Sequence, residues 1–490
     1  MKAPLKCYLR VLSPLHVGCD EVLEPFAFSV DETANQLICL DPFEFIKGLT
    51  SSEKQQFSRL CKKGTIASIL EIYKFMHNRP SPGAAIDLCS GFVEHYRKVL
   101  SLPMHDERKI QQELNSFAIA RTARNPNDGR CYIPGSSIKG MLRTAYLNRL
   151  ASVKNLSTPR GRDAAGELEK RLLDGGSFAT DPFRLLKVSD FAPVGAVKTK
   201  ILYAVNRKKR PSKFAARGPY QMLETVPPGS LFVGWISVQE PERGAGIRNP
   251  LALEKLMAGA GSFYARELAR ENQDLAAIGA EPIQPNSPES GVPVRLGRHS
   301  GAECVTIDKH RSIKIMGARQ QPPRYESNAT TLWLAANSNN PTANRFLLPF
   351  GWAVLGAVSE QLAATSAAAE DQFSKLQGEL RARAVADAAR QPHMPSAQGE
   401  EKAAADPVSA RDAQPVREIW KRAALSWNPG SETLTAAWQG KKATARGRDV
   451  VPEGLQKALF GKKKAAVADV EVEPLGNSFK IVKVEGPQAF

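Results

Sequence analysis

The stretch from Tyr132 to Ala145, YIPGSSIKGMLRTA, constrains the fold more than any other part of the sequence. A strand pattern ends at Pro134, because proline has no N–H to donate to a neighbouring strand. A helix is predicted to follow, with Ser136 or Ser137 as its cap. The apolar positions of this helix recur at the spacing of one buried face: Ile138, Met141, Leu142 and Ala145.

The glycines and cations of this stretch indicate an anion site at the start of the helix. Gly135 and Gly140 have the spacing of a nucleotide-binding P-loop, but Met141 stands where that motif requires lysine, so an NTPase is disfavoured. Free first-turn N–H groups and the positive end of the helix dipole favour a phosphate. Lys139 and Arg143, four residues apart, share a face that could bind it. A capped helix with solvated basic residues is the alternative.

The charge balance favours a polyanionic partner. Lysine and arginine total 67 against 50 acidic residues, a net charge of +17, which suits nucleic acid or an acidic membrane. The sequence has no apolar run long enough to span a bilayer, and its N-terminus lacks the apolar core of a signal peptide. A cytoplasmic protein is therefore expected, which favours nucleic acid. The cysteines and histidines form no metal-ligand spacing, so we expect no metal and no cofactor.

Strand and helix patterns divide the chain into four predicted segments. Residues 1–248 are predicted to form an N-terminal domain with a helical insertion at about 50–115, and residues 249–357 a second domain. An Ala-rich helix and a linker follow over residues 358–415, and residues 416–490 are predicted to be a small, basic, β-rich domain. Mixed hairpins and helices indicate the α+β class, with the ferredoxin-like (RRM-like) unit of many RNA-binding modules as a plausible fold.

Several segments resemble one family of CRISPR proteins. YIPGSSIKGMLRTA resembles the glycine-rich motif of the RAMP superfamily. Further segments resemble, in the same order, the fifth subunits of type III-A (Csm) effector complexes: SPLHVG, LDPFEFIKGL, LKVSDFAPV, ETVPPGSLFVGWISV, VRLGRHSG and LLPFGWAVLG. The resemblance covers about residues 1–357, and the Ala-rich helix and basic tail depart from the short form of that family.

The resemblance implies which residues contact RNA. In RAMP proteins the glycine-rich loop lies against the guide-RNA backbone, and glycine lets the chain approach closely. The motif residues so predicted to bind RNA are Gly135, Ser136, Ser137, Lys139, Gly140 and Arg143. Other candidates come from the end of the first predicted strand, the hairpin before the motif, the basic run after residue 206 and a second glycine loop: His16, Arg121, Arg124, Arg207, Lys208, Lys209, Arg295, Arg298 and His299. A solvated loop and an ordinary turn are the alternatives for these runs.

No catalytic residue is predicted. His16 could act as an acid or base as in related crRNA-processing endonucleases, but the sequence places no tyrosine or second histidine evidently near it. Asp31 lies in a predicted turn, where aspartate is favoured for the turn itself. Trp235, Trp333 and Trp352 lie in strand patterns and are predicted to be core residues.

The function implied by the resemblance is that of a non-catalytic crRNA-binding subunit of a type III CRISPR-Cas complex. Such a subunit caps the backbone filament at the crRNA 3′ end and aids crRNA maturation and complex assembly in antiviral defence. Its expected partners are crRNA, paired target RNA, neighbouring Csm backbone and small subunits, and a host trimming nuclease, with no membrane. A RAMP-fold endoribonuclease acting on crRNA or target RNA is the alternative, and a basic assembly protein making only protein contacts is a third possibility.

Overall fold

A computed structural model describes the chain as two units, Met1–Pro392 and His393–Phe490. The described residues are 4–24, 27–77, 79, 83–161, 163–210, 212, 216, 218–316, 322–390, 417–428, 433–438, 441–460, 465–475 and 478–484. The linker predicted to follow the Ala-rich helix lies outside these residues.

The first unit mixes helices and strands. Its helices are α1 (Pro42–Gly48), α2 (Ser51–Lys63), α3 (Ile66–Met76), α4 (Phe92–Leu100), α5 (Glu107–Ser116), α6 (Gly135–Lys154), α7 (Ala164–Leu173), α8 (Leu253–Ala277) and α9 (Glu360–Arg390). Its strands are β1 (Leu5–Val11), β2 (Gly18–Leu23), β3 (Phe28–Asp31), β4 (Gln36–Leu40), β5 (Gly83–Leu88), β6 (Ile119–Thr122), β7 (Leu186–Val188), β8 (Ala192–Pro193), β9 (Lys200–Lys208), β10 (Gln221–Thr225), β11 (Leu231–Val238), β12 (Val292–Arg295), β13 (Ile313–Ile315), β14 (Arg324–Glu326), β15 (Thr331–Ala336), β16 (Leu348–Pro349) and β17 (Trp352–Ala357).

Two sheets organise this unit. The first has the order β12-β17-β1-β11-β7, with β8 also paired to β11, and the second has the order β2-β6-β10-β9-β5-β4-β3, with β15 beside β9 and β16 beside β15. Residues of α6 and α8 pack with the first sheet in one core, and residues of α3, α4 and α5 pack with the second sheet in another. The predicted α+β class is confirmed, and the ferredoxin-like unit stays a prediction.

The predicted domain division at residue 248 also stays a prediction. Strands from both sides of it share each sheet, because β1 lies between β11 and β17, and β9 pairs with β15.

Local sequence patterns place several elements correctly. Helix α1 has Asp41 at its N-cap, with the carboxylate accepting hydrogen bonds from the next two free N–H groups, and Pro42 follows at the first helical position. Strands β3 and β4 form the predicted hairpin. The predicted apolar face of α6 is buried, with Ile138, Leu142 and Ala145 fully inaccessible. These predictions are confirmed because each depends on short-range spacing.

Other predictions are wrong where contacts with a distant segment determine the local structure. Strand β5 lies inside the region predicted as helical and is inserted between β4 and β9. Trp352 is buried as predicted, but the side chain of Trp235 is 49% exposed, so the prediction of a core residue is wrong there. Trp235 lies on β11 with Lys6 over its ring, and the indole therefore faces the surface.

The start of α6 differs from the predicted serine cap. Pro134 occupies the cap position without a side-chain hydrogen bond, and Asp190 Oδ1 accepts a hydrogen bond of 2.8 Å from Gly135 N instead. A Cβ at Gly135 would lie 2.5 Å from the Val188 carbonyl oxygen and 2.7 Å from that of Ser189. Gly135 therefore allows the helix to begin directly against the backbone around β7.

The second unit is a small closed β-barrel. Its strands are β18 (Glu418–Asn428), β19 (Thr433–Trp438), β20 (Lys441–Arg446), β21 (Ala465–Leu475) and β22 (Ser478–Val484), and its helix is α10 (Glu453–Leu459). The barrel closes in the order β18-β19-β20-β22-β21. The predicted β-rich character of the tail is confirmed.

We predict that Gly135→Ala lowers the free energy of unfolding by about 1–3 kcal/mol, because its Cβ overlaps two carbonyl oxygens. The matched control is Gly140→Ala on the same helix, where a Cβ meets nothing within 4 Å. That control should leave stability unchanged or raise it by up to about 1 kcal/mol. Urea unfolding of both variants tests this, and equal destabilisation would contradict it.

Candidate nucleic-acid interface

A cleft of about 450 Å³ lies between α6 and the loop that follows β12. We call it the glycine cleft. Its lining residues are Val17, Gly18, Ser137, Gly140, Met141, Thr144, Tyr264, Arg295, Leu296, Gly297, Arg298, Ser300, Cys304 and Val305. These described lining residues include no carboxylate, so the cleft suits an anion better than a cation.

Glycines form three of its walls, for different reasons. At Gly140 a Cβ would meet nothing within 4 Å, so this position is open to the cleft. Gly297 has φ +84°, and its Cβ would lie 2.5 Å from the His16 carbonyl oxygen, so only glycine suits this turn. The next amide, Arg298 N, donates a 2.8 Å hydrogen bond to the same oxygen. The loop around Gly297, which we call the glycine loop, is thereby fixed to the segment that follows β1.

His16 lies buried behind this wall. Its Nδ1 is 2.7 Å from the Glu224 carbonyl oxygen, and its buried Nε2 has no hydrogen-bond partner among the described residues. That Nε2 lies 3.3 Å from the position a Cβ would take at Gly18, and Gly18 lines the cleft. Burial lowers the pKa of His16, despite the hydrogen bond to Glu224. The imidazole is therefore neutral at neutral pH.

A second histidine does lie near His16, contrary to the expectation from sequence. Burial lowers the pKa of His299 to about 4, helped by the charge of Arg298. The His299 ring stacks on Trp333 at a centroid distance of 4.7 Å, and its Nε2 lies 3.1 Å from Gln221 Oε1. These contacts explain His299 as a packed residue.

The two arginines of the glycine loop have different environments. Arg295 is buried, with Nη1 2.7 Å from Glu271 Oε1 and Nε donating to the Phe350 carbonyl oxygen at 2.9 Å. Its guanidinium also lies 5.0 Å from the centre of the Trp352 ring. Arg298, by contrast, is exposed. The first arginine holds the loop, and the second presents its charge to solvent.

The motif on α6 is divided between two clefts. Ser137 and Gly140 line the glycine cleft, whereas Gly135, Ser136 and Lys139 line a second cleft of about 800 Å³ beside Trp235. The Lys139 ammonium donates to the Leu186 carbonyl oxygen at 2.9 Å, and burial lowers its pKa.

Arg143 is held by two carboxylates. Its Nη2 lies 2.7 Å from Glu169 Oε2 and its Nη1 2.8 Å from Asp181 Oδ2. Its charge is largely compensated within the protein.

Most of the other predicted RNA-binding cations also have partners inside the protein. Arg121 and Arg124 both approach the buried Glu224 carboxylate, at 3.6 Å and 3.0 Å. Lys209 is buried between Glu303, at 2.6 Å, and Asp274, at 3.0 Å. Sequence density alone did not indicate these pairings, because the acidic partners lie far along the chain.

The remaining two cations donate hydrogen bonds to uncharged acceptors. Arg207 donates to Asn344 Oδ1 at 3.1 Å and to the Pro341 carbonyl oxygen at 2.8 Å, and burial lowers its pKa. Lys208 Nζ is 2.8 Å from Ser212 Oγ.

Comparison with known proteins identifies the family. The family model described as the RAMP superfamily matches residues 8–259, which is more than half of the chain. The chain belongs to the RAMP superfamily. Among the described residues no helix has the length and apolar character needed to cross a membrane, and no three potential His, Cys, Asp or Glu ligands come together.

A curated relative has a more specific name. The chain is 28% identical over 195 residues to "CRISPR system Cms protein Csm5" of Methanocaldococcus jannaschii, a match that covers 38% of this chain and 42% of the relative. The match thus spans less than half the length of that relative.

Two solved structures are similar to this chain. One is a chain of the "Cryo-EM structure of Csm-crRNA-target RNA ternary complex in type III-A CRISPR-Cas system", with a TM-score of 0.47, 20% identity, and coverage of 72% of this chain and 100% of that chain. The other is the "Crystal structure of T.onnurineus Csm5", with a TM-score of 0.40, 18% identity, and coverage of 71% and 99%.

We predict that His299 makes stability depend on pH. Its pKa is about 4 when folded and 6.5 as a free side chain, so below 6.5 the unfolded state binds more protons. Its contribution is therefore present above about pH 6.5 and is lost as the pH falls towards 4. The His299→Gln variant should lose less stability over this range, by on the order of 1 kcal/mol. Urea unfolding at several pH values, with the exposed His105→Gln as control, tests this; identical pH profiles would contradict it.

Proposed function

We propose that this chain is a non-catalytic crRNA-binding subunit of a type III-A Csm complex. It caps the backbone filament at the crRNA 3′ end, aids crRNA maturation and complex assembly, and contacts neighbouring Csm subunits and paired target RNA. The observation that carries the RNA-binding part is the glycine cleft, which is lined by glycines and the exposed Arg298. The unpaired Nε2 of His16 lies buried behind Gly18.

The cleft supports contact with a nucleic-acid backbone. Gly18 and Gly140 leave main-chain atoms open to a ligand, and Gly140 has free space where a side chain would stand. Arg298 adds positive charge at the rim without a carboxylate among the lining residues. Contacts of this kind position a phosphate backbone and do not read base sequence.

The protonation of His16 favours RNA over DNA. Its Nδ1 faces a carbonyl oxygen, which only accepts hydrogen bonds, so Nδ1 must carry the proton. In the neutral ring Nε2 is then an acceptor that lacks a donor. A phosphate has no proton to offer, but a ribose 2′-hydroxyl does. We infer that His16 accepts a hydrogen bond from a 2′-hydroxyl of the bound strand.

The comparison with known proteins supports the Csm assignment. The relative from M. jannaschii bears the name of that subunit, and the RAMP match includes the second part of β1, the α6 motif and β11. The capping position and the trimming nuclease come from the family resemblance alone.

The arrangement disfavours the endoribonuclease alternative. Acid–base cleavage needs a side chain that reaches the substrate and exchanges protons near neutral pH. Burial lowers the pKa of His16 and, to about 4, that of His299, so both imidazoles are weak bases near neutral pH. Asp31 is used in its turn, where Oδ1 accepts a 2.9 Å hydrogen bond from Ala34 N.

We predict that Arg298→Ala weakens binding of crRNA equally for unrelated sequences, because a phosphate contact carries no base information. The dependence of log K on log salt should flatten by about 0.7 for one lost contact on a single strand. Filter-binding titrations at several salt concentrations measure both quantities.

The control for this experiment is Arg108→Ala, which removes an equally exposed arginine from α5. It should leave the slope unchanged. Equal effects of the two variants would mean that the glycine cleft has no special role.

We predict that His16→Asn reduces the preference for RNA over DNA of the same sequence. The asparagine amide can still donate to the Glu224 carbonyl oxygen, but it has no acceptor atom at the position of Nε2. RNA affinity should fall by about threefold to tenfold, the value of one ordinary hydrogen bond, while DNA affinity stays unchanged. Fluorescence anisotropy with matched RNA and DNA strands tests this.

Two outcomes would contradict the proposal for His16. Parallel losses for RNA and DNA would show that the substitution only disturbs packing. Loss of target-RNA cutting by a complex that still assembles with the variant would favour the endoribonuclease alternative.

A further inference from the structure

The C-terminal barrel has the topology of an OB-fold. Its five strands close in the order first-second-third-fifth-fourth, and α10 lies between the third and fourth strands. The third and fifth strands, β20 and β22, pair in parallel, whereas the other pairs are antiparallel. OB-folds bind oligonucleotides or oligosaccharides on the face of their second and third strands. Fold alone does not fix function, so the argument depends on what that face carries here.

The barrel closes because its first strand bends. Strand β18 pairs with β21 along its length and with β19 through its second half. A bulge between Trp420 and Ala423 lets it serve both neighbours, with Arg422 at φ 53°. The Arg422 amide donates to Asp469 Oδ1 at 2.6 Å, which secures the bulge. Bulges of this kind curve a sheet into a barrel.

The second and third strands carry an excess of cations. Strand β20 reads KKATAR, and neither it nor β19, TLTAAW, contains an acidic residue. In the ladder Lys442 stands opposite Ala437 and Arg446 opposite Thr433. Because alternate positions of a strand share a face, positions 442 and 446 lie on the same face as the exposed Thr444. The inward positions Leu434, Ala436 and Ala443 fill the barrel core.

The acidic residues of the barrel lie on other strands. Glu471 of β21 stands opposite Lys483 and forms a 3.2 Å ion pair with Arg417. Glu473 stands opposite Lys480. Charges there are balanced across strands, and the excess positive charge falls on β20.

Two half-buried aromatic rings, Trp438 and Phe479, pack against the barrel core at one end. Trp438, the last residue of β19, is half-buried and stacks on Trp420 at a centroid distance of 5.9 Å. Phe479 is half-buried against the same indole at 5.1 Å, with Lys441 Nζ 5.0 Å from its ring centre. By the alternation of β19, Trp438 lies on the side of Leu434 and Ala436, so these rings belong to the core and not to the outer face. Lys441 is also paired with Glu418, at 3.1 Å.

We propose that the outer face of β19 and β20, which we call the basic barrel face, binds single-stranded nucleic acid. This second site is independent of the glycine cleft. Cations contact the phosphates, so binding is largely indifferent to sequence. A neutral oligosaccharide would not need the charge, and this favours nucleic acid among the known ligands of the fold.

The test compares two paired variants of the full chain. Lys442→Ala with Arg446→Ala removes two cations from the basic barrel face, and Arg417→Ala with Lys483→Ala removes two from the balanced side around Glu471. The probe is a fluorescein-labelled 15-nucleotide oligouridine, followed by anisotropy at several salt concentrations. The first pair should flatten the dependence of log K on log salt by about 1.4, and the second should change it far less.

Measuring both pairs in an Arg298→Ala background separates this site from the glycine cleft. The effect of the first pair should persist there, whatever Arg298→Ala does alone. Photo-crosslinking of 4-thiouridine RNA to the wild-type chain should yield peptides within residues 433–446. Equal slopes for the two pairs, or crosslinks confined to the first unit, would overturn the proposal.

Discussion

A buried carboxylate, Glu224, determines how the wall of the glycine cleft is assembled. Its side chain accepts hydrogen bonds from Thr199 Oγ1 at 2.7 Å and Arg124 Nε at 3.0 Å, and the Thr122 amide approaches at 3.3 Å. Its carbonyl oxygen faces His16 Nδ1. A buried charge is tolerated only when several partners compensate its lost hydration. These partners come from distant segments, so satisfying one carboxylate fixes β10, the end of β6 and the segment after β1 together.

A second buried carboxylate has the same role on the other side of the cleft. Glu271 of α8 accepts from Arg295 at 2.7 Å and from Trp352 Nε1 at 2.5 Å. This contact joins α8 to the glycine loop and to β17. The two buried ion pairs determine the shape of the cleft, and Gly140, Arg298 and the free nitrogen of His16 determine its chemistry. Arg295 and Arg298 are three residues apart in the sequence, yet Arg295 holds the shape of the cleft and Arg298 presents its charge to solvent.

The sequence predicted what short-range spacing controls. The apolar face of α6, the Asp41 cap and the β3–β4 hairpin depend on residues at most a few positions apart. The predicted serine cap of α6 was wrong, because the Gly135 amide is instead bonded by Asp190, which is 55 positions away in the sequence. Strand β5 was missed because its partners β4 and β9 hold it, whereas its own residues, GAAIDL, are too few to define a period.

The candidate site was predicted in part, for the same reason. The motif and the VRLGRHSG loop were identified as glycine-rich, and both contribute residues to the glycine cleft. The sequence could not show which cations are free to contact a ligand, because this depends on carboxylates from distant parts of the chain. Lys209 lies in the densest basic run of the sequence, yet it is buried between Glu303 and Asp274. The local density of basic residues therefore does not show which cations are free to contact a ligand, because their acidic partners lie elsewhere in the sequence.

This distinction bears on where affinity for RNA arises. Lysine and arginine exceed the acidic residues by 17 over the whole chain, so at least that many cations have no acidic residue to match them in number. The glycine cleft, with Arg298 as its exposed cation among the described lining residues, offers position more than electrostatic free energy. Affinity that falls steeply with salt requires several phosphate contacts. The proposed RNA affinity therefore requires surfaces where cations outnumber carboxylates. Strands β19 and β20 contain no acidic residue, and of the three cations of β20 Lys441 is paired with Glu418 of β18.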